Sequence, residues 1–294
     1  MALVGGVAER PGTQWKGWIF TMITIITDSS SYFRKNEALD LGIKVVPINY
    51  TIDGHSYSES FCDQNGDFEN LLKGNGVFTT SHPNISVFLS AFEEELHNGN
   101  EVLCITISSR LSGAYGTAHM AAKQTESEKI SVFDSRLTAG GLYLLVKEAQ
   151  KLITNGASLD KILNELPSIR DKITITFSVS DMTPLRNSGR MGFVRMSVST
   201  FLNIKPILLC KDGAIVSDSV VHGNTELIKK LADKVNTNTK EVIINYIGDN
   251  QIATNLYHVI KKTTTDIPIA LQKIGPALGI HLGLKAIAVS IIEK

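Results

Sequence analysis

Between Met22 and about Asp171, uninterrupted apolar runs of strand length alternate with stretches of helical periodicity, and this alternation restricts the chain more than any other feature. Runs such as Ile23–Thr27, Lys44–Pro47, Val102–Ile107 and Ile130–Phe133 are apolar on both faces, as expected of parallel strands covered by helices on both sides. The intervening helical patterns are Ser31–Asp40, Ile85–Leu96, Gly113–Gln124 and Ala139–Ile153. A hairpin interrupts the order at Ile48–Ile52 and His55–Glu59, joined by Asp53-Gly54. After a further helix at Leu159–Ile169 the pattern changes. Strands are expected at Ile173–Val179, Ile204–Leu209, Ala214–Ser219, Glu241–Ile247, Ile267–Gln272 and Ala286–Ile291, with helices at Thr225–Val235 and Ile252–Lys262. The tight Lys211-Asp-Gly213 connection makes one pair antiparallel. The expected architecture is therefore α/β in two domains. Residues 22–170 form a largely parallel three-layer α/β/α unit, and residues 171–294 an α+β unit with a mixed or antiparallel sheet. A small ligand is expected in the cleft between them. Residues 1–21 lack periodicity and are read as a disordered extension.

Within that frame, Cys104-Ile-Thr-Ile-Ser-Ser-Arg-Leu-Ser-Gly-Ala-Tyr-Gly-Thr-Ala118 runs from strand through a hydroxyl-rich turn into a Gly/Ala-rich helix. Such a segment brings Ser108, Ser109, Ser112 and the first helical N–H groups to the carboxyl end of a strand, where α/β proteins bind ligands. On the residues alone, Ser112 serves equally well as a helix cap. A second hydroxyl cluster, Phe78-Thr-Thr-Ser-His-Pro83, also precedes a helical pattern, and Thr80 can likewise be a cap before Pro83.

The balance of 29 basic and 29 acidic residues creates no global field for nucleic acid, which is excluded as a partner. No run approaches the roughly 18 apolar residues of a membrane span, so stable membrane insertion is not expected and a cytoplasmic location is the default. Cys62, Cys104 and Cys210 are odd in number and widely spaced, which suits reduced structural thiols. The seven histidines show no metal-ligand spacing, and no metal is expected.

The motifs together resemble the DegV family of fatty-acid-binding proteins. Those that carry the likeness are Thr27-Asp-Ser-Ser30, Thr80-Ser-His-Pro83, Ser108-Ser-Arg-Leu-Ser-Gly-Ala-Tyr115, Phe133-Asp-Ser135, Gly189-Arg190, Leu202-Asn-Ile-Lys-Pro-Ile207 and Gly275-Pro276 followed by Gly279-Ile-His281. The resemblance implies a non-enzymatic carrier with no catalytic residue and no cofactor. Its ligand would be a long-chain fatty acid, enclosed between two domains and presented by its carboxyl group to the catalytic subunit of a bacterial fatty acid kinase. Carried over by motif, Thr80, Ser81, Ser112, Gly113, Arg190 and His281 form the ligand site, and Arg190 with His222 the partner contact. Thr80 and Ser112 would bond the carboxyl group, each arriving at the carboxyl edge of the first sheet. His222 stands where family members often carry arginine, and His281 is expected in a glycine-rich turn, Gly279–Gly283. Asp28 is read as a helix cap without a catalytic task.

Physical chemistry supports the division of labour. Burying about sixteen carbons at ~0.8 kcal/mol per methylene gives roughly 12 kcal/mol of gross stabilisation, while a carboxylate leaving water needs donors for both oxygens. The alternatives are an acyl hydrolase or phosphotransferase using Ser112 and His281, and a lipid-responsive regulator. Ser112 lacks the Gly-x-Ser-x-Gly setting of a nucleophile elbow, and no Gly-Lys-Ser/Thr phosphate loop occurs.

Overall fold

The computed structural model describes residues 22–74, 76–191, 203–248, 250–264 and 266–294. The proposed extension at residues 1–21 therefore lies outside the described residues. Strands β1 (Ile23–Asp28), β2 (Lys44–Val46), β6 (Glu101–Thr106) and β7 (Ile130–Asp134) form a wholly parallel sheet in the order β2-β1-β6-β7. Helices α3 (Ile85–His97) and α4 (Ala114–Gln124) cover one face, where Phe88, Phe92, Ala118 and Ala121 pack on Ile26, Val102 and Cys104.

The other face meets α5 (Ala139–Thr154), which is buried along most of its length because it lies between two sheets. Leu142, Leu144 and Leu145 share one core with Ile25, Leu103 and Ile105 of the parallel sheet and with Ile173, Ile175, Ile243 and Ile292 of the second. That second sheet has six strands in the order β10-β9-β8-β13-β11-β12. They are β8 (Ile173–Val179), β9 (Ile204–Lys211), β10 (Ala214–His222), β11 (Thr239–Ile247), β12 (Ile269–Lys273) and β13 (Ala286–Glu293). All its pairs are antiparallel except β11 with β12, so the sheet is mixed. Its far face is covered by α8 (Gly223–Ala232) and α9 (Gln251–Thr263). Layers of helix and sheet thus alternate through the molecule, with α5 inside it and α6 (Leu159–Asp171) packing one face, through Leu159, Ile162 and Leu166, onto the same core.

The interrupting hairpin is part of a third sheet. Strands β3 (Ile48–Ile52) and β4 (His55–Glu59) are joined by β5 (Phe78–Ser81), antiparallel to β3, with α2 (Phe68–Leu72) between. This corrects the placement of Thr80: it lies on β5, opposite Tyr50, and not on a loop at the edge of the parallel sheet. A four-residue strand of Phe, Thr, Thr and Ser next to Pro83 carries a cap-like composition, and only its partner β3 reveals it as a strand. The remaining helices are α1 (Lys35–Asp40), α7 (Thr183–Asn187) and α10 (Pro276–Leu282). His281 is therefore helical, one residue before the end of α10, which corrects the expected turn. Pro276 in the first turn favours the helix, and Gly283 ends it at φ 77°.

Candidate functional site

Beyond the N-terminus of α5 the space between the sheets is not filled by helix, and a cavity of about 1050 Å³, its open mouth included, occupies it. The floor is apolar. Ile175 and Phe177 alternate along β8, Ala286 and Ala288 along β13, and Ala139 lies beside them at φ 48°. The alanines make the room, since larger side chains at these buried positions would project into the gap. Cys210 also borders the cavity, its thiol pushed up to about 12 by burial and by Asp212; such a thiol is not a nucleophile at neutral pH.

Thr80, Ser81, Ser112, Gly113, Arg190 and His281 all line this one cavity. Four parts of the fold deliver them. Thr80 and Ser81 come from β5, His281 from α10, Arg190 from the turn after α7, and Ser112 with Gly113 from the turn between β6 and α4. That turn is held tightly. Ser112 N–H donates to Ser108 O (3.1 Å), Ser109 is bonded through N–H and hydroxyl to Asp134, and Ser108 Oγ donates to Gly213 O in the turn between β9 and β10 (2.7 Å). Below it, buried Asp28 accepts from Ile107 N–H (2.7 Å) and from Ser30, joining the ends of β1 and β6. Burial raises its carboxyl pKa against these bonds.

Ser112 stands one position before Gly113, the N-cap of α4, where its hydroxyl accepts from Ala114 N–H at 3.3 Å and also lines the cavity. Thr80 Oγ1 lies 2.7 Å from His281 Nε2. Burial, with Arg190 nearby, depresses the His281 pKa to about 4, so the imidazole is neutral at pH 7 and can donate to or accept from Thr80 according to tautomer. Arg190 Nε donates to Leu111 O (3.4 Å) and its Nη1 to Ser188 O (2.5 Å), which points the guanidinium along the mouth. A neutral imidazole, two hydroxyls and one cation at the end of an apolar tunnel suit a single anionic head on an apolar tail.

His222 is not brought to this group. It is exposed at the end of β10, seven positions past cavity-lining Ile215 and thus roughly 23 Å along the strand, beside Glu226 of α8.

Sequence reasoning missed two contributors. His82 lines the cavity and packs on Gly113, where an added Cβ would come within 2.9 Å of its Nδ1. Glu59, expected at a hairpin end, is buried and accepts from Ala277 N–H (2.5 Å), anchoring the start of α10; Gly275 admits it, since a Cβ there would lie 2.7 Å from Glu59 Oε2. Tyr32 OH accepts from Leu278 N–H (3.3 Å) in the same cluster. Burial lifts the Glu59 pKa to about 8, so this carboxyl is protonated at neutral pH. No local pattern marks a buried acid in a polar strand. Among the described residues no cluster of His, Cys, Asp or Glu could hold a metal ion, and no helix is long and apolar enough to cross a membrane.

A DegV domain-containing protein of Halalkalibacterium halodurans is 30% identical over 282 residues, covering 93% of this chain and all of the relative. Among solved structures, a DegV family protein of Thermus thermophilus described by its fatty acid binding superposes with a TM-score of 0.82 at 25% identity, covering 93% of this chain and 100% of that one. A stearic-acid-binding protein of Eubacterium ventriosum shares the fold with a TM-score of 0.81 at 22% identity over 93% and 99% of the two chains. The family model described as uncharacterised protein, DegV family, matches residues 22–294, and the chain belongs to that family.

Proposed function

We propose that this chain binds one long-chain fatty acid, with the acyl tail between the two sheets and the carboxyl group at Thr80 and Ser112. The observation that carries this reading is the segregation of one cavity into an apolar floor and a polar mouth. Solved relatives support it: their descriptions name fatty acid binding and, in one case, stearic acid. In this reading residues 22–170 and 171–294 are the two units that enclose the ligand. Thr80 and Ser112 donate to the carboxylate, Ser81 and the Gly113 N–H border it, Arg190 balances its charge, and neutral His281 orients the Thr80 hydroxyl.

The chain is a carrier that hands the carboxyl group to a separate kinase subunit for acyl-phosphate formation. It has no phosphate loop of the Gly-Lys-Ser/Thr type with which to do this alone, and His281 Nε2 pairs with Thr80 and not with Ser112, which disfavours a serine hydrolase. Arg190 at the mouth and exposed His222 are the proposed partner contacts. Organic extraction of the purified protein followed by mass spectrometry tests the reading. A stoichiometric fatty acid, and acyl-phosphate formed from ATP and magnesium only after a kinase subunit is added, are the expected results. A lipid-free protein that does not take up added fatty acid contradicts it.

A further inference from the structure

The six-stranded sheet has a second crevice on its other face. Strand directions place it: β8 is antiparallel to β9 and β9 to β10, while β8 is antiparallel to β13, β13 to β11, and β11 parallel to β12. Strands β8, β10, β11 and β12 therefore end at the same edge, and α8 and α9 begin there, directly after β10 and soon after β11. This is the carboxyl-edge position at which open α/β sheets bind ligands. The first turns of both helices, through Asn224 and through Gln251–Ala253, line a cavity of about 800 Å³, open mouth included. Among the described residues neither helix shows a side-chain cap, and they run 10 and 13 residues, long enough for a full N-terminal dipole.

Three further features point to an anion. Lys205, at the start of β9, and Lys285, just before β13, line the crevice, and neither forms an ion pair among the described residues. Ser178 lines it too; it is 2% exposed and its hydroxyl has no hydrogen-bond partner among the described residues. A buried hydroxyl without a partner is a cost unless something binds it. The first turn of α9 contains no acid, and the single acid of the α8 first turn, Glu226, accepts from His222 N–H at 2.7 Å and does not line the crevice.

We propose that this crevice is a second ligand site, built for the phosphate group of a small soluble molecule. Two converging helix N-termini offer a fan of N–H donors that suits a tetrahedral oxyanion. The lysines supply the charge and Ser178 one inner hydrogen bond, while Leu227 and Ile252 give the rest of the ligand an apolar wall. The site shares Ala286 and Ile287 with the acyl cavity, so the two ligands would lie on opposite faces of β13.

Pyrophosphate is the probe, added at constant ionic strength set with sodium chloride and read by thermal shift and by calorimetry. Saturable binding is expected, weakening as salt rises, tenfold or more weaker in Ser178→Ala and abolished in Lys205→Gln/Lys285→Gln. The melting temperatures of the unliganded variants report their folding, and Lys285→Gln alone changes an exposed side chain that cannot unfold the sheet. No effect beyond sodium chloride, equal binding of citrate, or wild-type affinity in the double variant would each overturn the proposal.

Discussion

The two faces of β8 meet different chemistry within one strand. Ile175 and Phe177 turn to the acyl cavity, whereas Thr176 and Ser178 turn to the helices α8 and α9. Both sets are buried, although Ile-Thr-Ile-Thr-Phe-Ser-Val alternates apolar with hydroxyl residues as a strand with one solvated face would. The period of two sorts the residues, and what lies over each face decides their task. On one side a helix stops short and leaves an apolar gap; on the other, two helices start and leave a polar one.

Filling the apolar side should have the largest effect. Ala288→Leu places a branched side chain where about three methylenes of ligand would lie. At ~0.8 kcal/mol each this lowers stearate affinity roughly 30- to 100-fold, with a smaller loss for decanoate and none for pyrophosphate. Calorimetry with each ligand checks it. Parallel losses on both faces would mean that the sheet does not separate the two cavities.

The surroundings of the mouth offer a second test, because buried Glu59 at the start of α10 and half-buried His281 near its end shift in opposite senses. Glu59 holds its proton up to about pH 8 in the folded protein, whereas the unfolded chain releases it near the ordinary value of about 4.5. Its contribution to stability is thus fully present at low pH and lost as pH rises through that window. Glu59→Gln keeps an acceptor for Ala277 N–H and has nothing to titrate. Its melting temperature should gain on the wild type from pH 5 to 8 and stay parallel above. His281, held neutral down to about pH 4, works the other way: stability is present above the ordinary value near 6.5 and falls as pH drops toward 4. His281→Gln should flatten that acid limb. Melting curves across pH 4 to 9 measure both, and identical slopes in variant and wild type would contradict the assignments.

The smallest effect is expected furthest from the cavity. His222→Arg should change kinase-coupled turnover a few-fold upward and leave fatty acid affinity unchanged, since the residue is exposed and does not line the site. A change in lipid affinity alone would remove it from the partner contact.

Most of the regular elements could be read from the sequence because their signals are local: apolar runs for β1 and β6, apolar alternation for β8, amphipathic periods for α3 and α9, and the Asp53-Gly54 turn between β3 and β4. What could not be read depends on partners distant in the chain. β5 is a strand only because β3 is beside it, and α10 is a helix of seven residues with two of its positions Pro or Gly. α5 reads as a helix of the first half, yet its apolar girth serves both sheets. The motif residues of the mouth could be picked out from their hydroxyl clusters and family resemblance, whereas Glu59 and His82 owe their importance to what folds against them.

The central claim is that one cavity holds an acyl tail by its apolar floor and a carboxyl group by Thr80 and Ser112. The direct measurement is the affinity of palmitic acid and of hexadecanol for the wild type, Thr80→Val and Ser112→Ala. A hydrogen bond to a charged group contributes about 1.5–3 kcal/mol, so each variant should bind the acid roughly ten- to a hundredfold more weakly, with the alcohol changing far less. Equal losses for acid and alcohol, or no loss for either, would contradict the account.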